Sequence, residues 1–182
     1  MRVVSRERVV LGGCAFFLRH GTLEMDGLAD HLSVSRATLY RVVHGRDPLL
    51  GEVLWRLGER MLARARAETT SPGIDGVLET TRRFADRVRH AEPFLAFLHA
   101  EPATAARVLF TPAGGVHARV VEAQRGILAS ATDPAWSPGD LDGAAYLYVR
   151  IIESALYADL LGGHPADPVT TERAARAVLE AC

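Results

Sequence analysis

The feature that most constrains this chain is helical periodicity from end to end. Apolar residues recur at three- and four-residue spacings, and no stretch alternates β-branched or aromatic residues with polar ones. Such a chain can bury its apolar stripes only by packing helix on helix, so the fold class is all-α. The spacing predicts helices near 3–20, 25–32, 35–43, 48–69, 74–90, 92–100, 103–110, 114–131, 140–161 and 169–181. Punctuation agrees. Asp47-Pro48 reads as an N-cap before a proline at the first helical position, and Ser71-Pro72-Gly73 separates two long helices. Loops are expected at 133–139 and 162–165, with short breaks at Glu92-Pro93 and Thr111-Pro112.

With 182 residues, 48% of them hydrophobic and 24% charged, the chain can form one large domain or two smaller ones. Its longest apolar stretch, near 11–18, is far short of the roughly 20 residues a membrane helix needs. The charged N-terminus has no signal-peptide core, so a cytoplasmic protein is expected. Cys14 and Cys182 lie at opposite ends and imply no disulfide framework. Cys14, in an apolar helical stretch, reads as a small buried hydrophobe.

Charge is unevenly divided. Residues 1–66 hold 11 Arg against 7 Asp and Glu, a net of +4, whereas residues 67–182 carry a net of −5. A basic front on an acidic body suggests that only the front meets a polyanion.

The segment MDGLADHLSVSRATLYRVVHGRDPLL (residues 25–50) makes this specific. Leu28, Ala29 and Leu32 share a face of one short helix, and Leu39 and Val43 can face it from a second. A small residue at Ala29 permits a close, steep crossing. This is how a helix-turn-helix presents its second helix to the DNA major groove.

The run VSRATLYRVVHGRDPLLGEVLW resembles the DNA-binding domain of TetR-family repressors, over about residues 3–60. It departs from the common pattern in four places. The Gly21-Thr22-Leu23-Glu24 connection is short, and Ser33 replaces a glycine often found in the turn. Val43 replaces an aromatic residue, and Gly45-Arg46 replaces a lysine-containing turn. Glu24 and Asp26 would repel DNA if they faced it. The resemblance implies three units: a three-helix DNA-binding domain at 1–47, a connecting helix at 48–69, and a helical ligand-binding and dimerisation domain at 70–182. Similarity extends to the subgroup of regulators linked to lactone signals and secondary metabolites. The expected partners are therefore double-stranded operator DNA, a second copy of the chain, and a small, mainly apolar effector such as a lactone or aromatic polyketide.

Chemistry assigns roles along the second helix. Arg36 and Arg41 are the long donors able to grip guanine O6 and N7 in a bidentate way. Thr38 can touch a thymine methyl or a phosphate, and Ala37 allows close approach. Ser35, Tyr40, His44 and Arg46 are expected on phosphates, which fix register without reading sequence; for Tyr40 this follows the family resemblance. His20 and Arg19 can add backbone contacts.

In the C-terminal half, residues 140–163 are apolar on nearly every side, which marks a central helix needing partners all round. In the resembled family the last two helices pair with those of a second copy. Tyr146, Arg150, Glu153 and Tyr157 fall on one stripe of this helix. They read either as a charge pair at the dimer seam or as polar contacts in a ligand pocket. Phe84, Phe94, Phe97, Phe110 and Trp136 are aromatic candidates for core or pocket. His99, His117 and Gln124 are candidate polar fixtures of an otherwise apolar cavity.

Enzyme signatures do not appear. There is no Gly-rich phosphate loop, no Gly-x-Ser-x-Gly elbow and no Cys-x-x-Cys. The seven histidines lack metal-ligand spacing, and no cofactor or metal is expected. The competing reading is a helical dimerising adaptor, or a ligand-binding protein without sequence-specific DNA binding. It leaves the arginine-rich second helix and the charge division unexplained.

Overall fold

The computed structural model describes residues 4–131, 136–162, 164 and 167–181. The loops expected at 133–139 and 162–165 fall partly outside the described residues, as does Cys182. Ten α-helices follow in order: α1 Arg6–His20, α2 Met25–Leu32, α3 Arg36–Val43, α4 Arg46–Glu68, α5 Gly73–Arg89, α6 Glu92–Ala100, α7 Pro102–Phe110, α8 Val116–Ala131, α9 Leu141–Leu156 and α10 Pro168–Ala181. Among the described residues none of these helices is long and apolar enough to cross a membrane.

Two of the helix ends that differ from the sequence expectation have a clear local cause. The chain enters α4 at Arg46, so Pro48 lies inside the first turn and not at its first position. Pro48 is tolerated there because the N–H groups of a first turn have no intrahelical acceptor. Asp47 is therefore no N-cap. The helix expected at 140–161 stops at Leu156, because Tyr157 leaves helical geometry (φ −120°, ψ 29°), and 157–162 continue as turns.

The chain divides into two compact units. The first comprises Met1–Arg60 and His90–His117, which carry α1–α3, the front of α4, α6 and α7. Its core is built from Val9, Val10 and Phe17 of α1, Leu28 and Ala29 of α2, Leu39 and Val43 of α3, Leu49, Leu50 and Val53 of α4, and Phe97, Ala105, Val108 and Leu109 of α6 and α7. Phe97 meets Phe17 edge-on, with ring centroids 5.7 Å apart and planes at 72°. Gly51 shows how closely the pieces approach: a Cβ built there would lie 2.0 Å from the Gly114 carbonyl oxygen, which no side chain allows. Cys14 is buried here, and burial pushes its thiol above the ordinary value, as suits a packing residue.

The second unit comprises Met61–Arg89 and Ala118–Cys182. Val77 and Leu78 of α5, Ile127 and Leu128 of α8, Ala144, Ala145 and Tyr148 of α9, and Ala175 and Leu179 of α10 form its core. Two polar bonds lock it: Tyr148 donates to Thr81 Oγ1 (2.7 Å), and Trp136 Nε1 donates to the Leu179 carbonyl (2.8 Å). Arg82–Glu172 (3.1 Å) and Arg176–Asp75 tie α5 to α10. Glu79 accepts from the Ser71 amide (3.1 Å) and from Arg83 (2.8 Å), and these partners hold its carboxyl at about 2, against an ordinary 4.5. Within a single chain helix α9 is not covered all round. It buries Ala144, Ala145, Tyr148, Val149 and Glu153, while Tyr146 and Leu147 stay half exposed at 49% and 50%.

Candidate nucleic-acid interface

Helices α2 and α3 pack through Leu28, Ala29, Leu32, Leu39 and Val43, all buried. The turn between them is short because Ser33 adopts the left-handed region (φ 54°), letting the Val34 amide reach back to the Ala29 carbonyl at 3.0 Å. Ser35 then caps α3, its Oγ accepting from the Thr38 amide at 3.2 Å. The helix ends at His44, also left-handed (φ 62°), whose amide donates to the Tyr40 carbonyl at 2.9 Å.

With Leu39 and Val43 turned inward, Arg36, Ala37, Tyr40, Arg41 and His44 lie exposed along the opposite side of α3. Ser35 is exposed at its start and Thr38 is half-buried. The guanidinium carbon of Arg36 lies 5.4 Å from the centroid of the Tyr40 ring, within cation–π reach. Its Nη1 is 3.2 Å from the Asp26 carboxylate of α2. The hydrogen bond to Tyr40, followed by the charge of Asp26, raises Arg36 above its usual pKa and keeps it cationic. Arg41 is exposed and makes no hydrogen bond or ion pair among the described residues. An exposed helix face with an uncommitted arginine, a stacked arginine and a tyrosine hydroxyl offers what major-groove readout and phosphate contact require.

Arg46 was expected on a phosphate, but its guanidinium is engaged within the protein. Nη1 and Nη2 hold both carboxylate oxygens of Glu101 (2.8 and 2.6 Å), and Nε donates to the Leu23 carbonyl (2.6 Å). Asp26 faces Arg36 across the two helices and so does more than repel DNA. That it lies against Arg36, and that Glu101 lies against Arg46, carried no signal in sequence spacing. His20, at the end of α1, stacks on Phe16 with centroids 4.3 Å apart.

The residues considered for an effector site divide between the units. Phe94, Phe97, His99, Phe110 and His117 fall in the first; Phe84, Gln124, Trp136, Tyr146, Arg150, Glu153 and Tyr157 fall in the second. Phe97 is core, and Trp136 packs against the second unit's core. His99 and Tyr146 are exposed, so neither is enclosed in an apolar cavity within its unit. Arg150 and the buried Glu153 do pair, at 2.9 Å, one helical turn apart on α9. Tyr157 is half-buried at the end of that helix. Gln124 is buried and its Nε2 has no hydrogen-bond acceptor among the described residues. Among the described residues no cluster of three or more His, Cys, Asp or Glu is placed to hold a metal ion.

The helix-turn-helix and its exposed α3 face define a DNA-binding regulator of all-α architecture. Comparison with known proteins gives the family. Residues 72–180 match the family model described as "Tetracyclin repressor-like, C-terminal domain", so the chain belongs to the TetR family of transcriptional regulators. It is similar to the solved structure of the R. erythropolis transcriptional repressor QsdR from the TetR family. That match has 29% identity and a TM-score of 0.87, covering 96% of this chain and 94% of that one. A putative TetR-family transcriptional regulator from Mesorhizobium loti MAFF303099 shares the fold at 18% identity and a TM-score of 0.56, over 97% and 93% of the two chains. No curated protein matches the chain significantly.

Proposed function

We propose that the protein is a sequence-specific repressor that binds a pseudo-palindromic operator as a homodimer and leaves it when a small, mainly apolar effector binds. The exposed face of α3 carries this reading: Arg36 and Arg41 are presented to solvent while Leu39 and Val43 anchor the helix from behind. Likeness to a repressor over nearly the whole chain supports repression as the mode of action. In functional terms residues 1–47 read DNA, 48–69 connect, and 70–182 sense and dimerise.

Gln124 bears on the effector's chemistry. A buried amide N–H without an acceptor costs about 1–3 kcal/mol, and a ligand carbonyl would remove that cost. Gln124 is such a donor, which suits an effector with an acceptor oxygen; a lactone or an aromatic polyketide supplies one on a mainly apolar body. The two half-exposed apolar residues of α9, Tyr146 and Leu147, suit burial against a second copy.

Genomic-fragment selection with the purified protein, followed by footprinting, tests the DNA reading. A protected pseudo-palindrome is expected. Arg36→Ala or Arg41→Ala should each cost roughly 1–3 kcal/mol of operator affinity and relax preference at the bases read. No protected site, or an Arg36→Ala/Arg41→Ala double variant that binds like wild type, would refute it.

A further inference from the structure

Directly behind the recognition helix, α4 opens with two adjacent residues of opposite charge, Arg46 and Asp47. Each is held by a residue of opposite charge from 90–117. Arg46 grips Glu101 with two nitrogens on two oxygens (2.8 and 2.6 Å), and Glu101 also accepts from Thr22 Oγ1 at 2.8 Å. Asp47 is gripped by Arg107 through Nε (2.5 Å) and Nη2 (3.3 Å). All of these residues belong to the first unit. The Arg46 and Glu101 side chains are only 27% and 25% exposed, so the pair is partly desolvated. Bidentate geometry, which the Arg107–Asp47 pair shares, together with this partial burial makes it stronger than a single-contact surface ion pair.

The position of this clamp matters more than its strength. Only His44 and Gly45 separate the end of α3 from Arg46, and both hold positive φ, 62° and 139°. A two-residue turn of fixed backbone leaves the end of α3 little freedom once Arg46 is placed. The same guanidinium holds the Leu23 carbonyl (2.6 Å), in the connection leading into α2. Both helices of the helix-turn-helix are thereby referred to one carboxylate. Hydrogen bonds to base edges tolerate only a few tenths of an ångström in donor–acceptor distance, so a tilt of α3 weakens base readout far more than it weakens phosphate attraction.

We propose that Glu101 and Arg107 are positioning residues for operator recognition. They lie outside the helix-turn-helix and touch no base; they set the pose of α3 by holding Arg46 and Asp47. Arg46 is accordingly a clamp residue and not a phosphate contact. The proposal rests on α3 being the DNA-reading helix, and its test is arranged to separate the two.

Affinities for the selected operator and for a random duplex of equal length are measured by fluorescence anisotropy. The proteins are wild type, Glu101→Gln, Arg46→Ala, Arg107→Asp, and the charge exchange Asp47→Arg/Arg107→Asp. Glu101→Gln and Arg46→Ala should lose about 5- to 50-fold on operator while binding to random duplex changes less than about 2-fold. Arg107→Asp should lose similarly, and the exchange should restore at least half of the logarithmic loss. Thermal melts of the DNA-free proteins identify any variant that fails to fold; the exchange and the milder Glu101→Gln then decide. Unchanged operator-to-random ratios in Glu101→Gln and Arg46→Ala would overturn the proposal. So would an Arg46→Ala variant that weakens both duplexes equally and lowers the salt slope by about one, the signature of a lost phosphate contact. Wild-type protein that fails to distinguish operator from random duplex would overturn the reading of α3, and this proposal with it.

Discussion

Truncating Phe97 separates a core role from a ligand role. Its ring is 0% exposed and stands edge-on to Phe17 of α1 at 5.7 Å. Phe→Ala at a fully buried position costs about 3–5 kcal/mol, of which roughly 0.5–1.5 kcal/mol belongs to the aromatic pair. Against a typical total stability of about 5–15 kcal/mol, this is a large share. At about 2–4 °C per kcal/mol for a chain of this size, the melting midpoint of Phe97→Ala should fall by roughly 6–20 °C. Phe97→Leu keeps most of the volume and should lose about 1–1.5 kcal/mol. Scanning calorimetry and circular-dichroism melts on the three proteins give the midpoints. Operator affinity measured below each midpoint should stay near wild type, because the fully buried Phe97 packs on Phe17 of α1 and is closed to DNA. A midpoint within about 2 °C of wild type would refute the packing argument, and a change confined to effector titrations would make Phe97 a ligand contact instead.

Two further outcomes are expected. Ser33 holds a left-handed backbone (φ 54°) that costs a non-glycine residue about 1–2 kcal/mol; Ser33→Gly, after the entropy it adds to the unfolded chain, should raise stability by about 0.5–1 kcal/mol in denaturant titrations and leave operator affinity unchanged, and a loss of stability would contradict it. Glu79 has its carboxyl at about 2 in the folded protein against an ordinary 4.5, so its stabilisation is complete above about pH 4.5 and is lost as pH falls towards 2. Glu79→Gln should therefore melt earlier than wild type at pH 7, with the gap closing between about pH 4.5 and pH 2; a gap that persists undiminished at the acid end would show that the ion pair is not its source.

The helix-turn-helix was legible because everything that defines it is local. Leu28, Leu32, Leu39 and Val43 repeat at helical spacing within 16 residues, and all four are buried. Ser35 read as a polar contact on the DNA face, and its hydroxyl caps the helix as well, because a serine before a helix serves its own backbone first. What the sequence hid lies in long-range pairs. Arg46 and Glu101 are 55 residues apart, Asp47 and Arg107 are 60 apart, and no periodicity marks either pair. An arginine three residues after the recognition helix reads as a phosphate contact, and nothing in its spacing announces the carboxylate that holds it. The apolar character of α9 was legible, but composition cannot say which of its faces packs within the chain and which, here carrying Tyr146 and Leu147, lies open in it.

The same long-range packing changes what the charge division means. Counted along the sequence, the front 66 residues are basic by +4. Counted over the compact unit that contains the recognition helix, ten arginines face nine carboxylates, a net of only +1, because Arg64 and Arg66 belong to the second unit and 90–117 brings in Glu92 and Glu101. A net charge this small steers weakly, so attraction to a polyanion must come from how the charges are arranged. Glu101, Asp47 and Glu52 are each bound to an arginine remote from α3 or at the start of α4. Arg36 keeps one exposed carboxylate, Asp26, and Arg41 keeps none among the described residues. An exposed pair such as Asp26–Arg36 is worth little in water, and a base edge or phosphate can displace it. Three carboxylates of the first unit thus restrain arginines that hold the fold, which leaves Arg36 and Arg41 to face outward from α3.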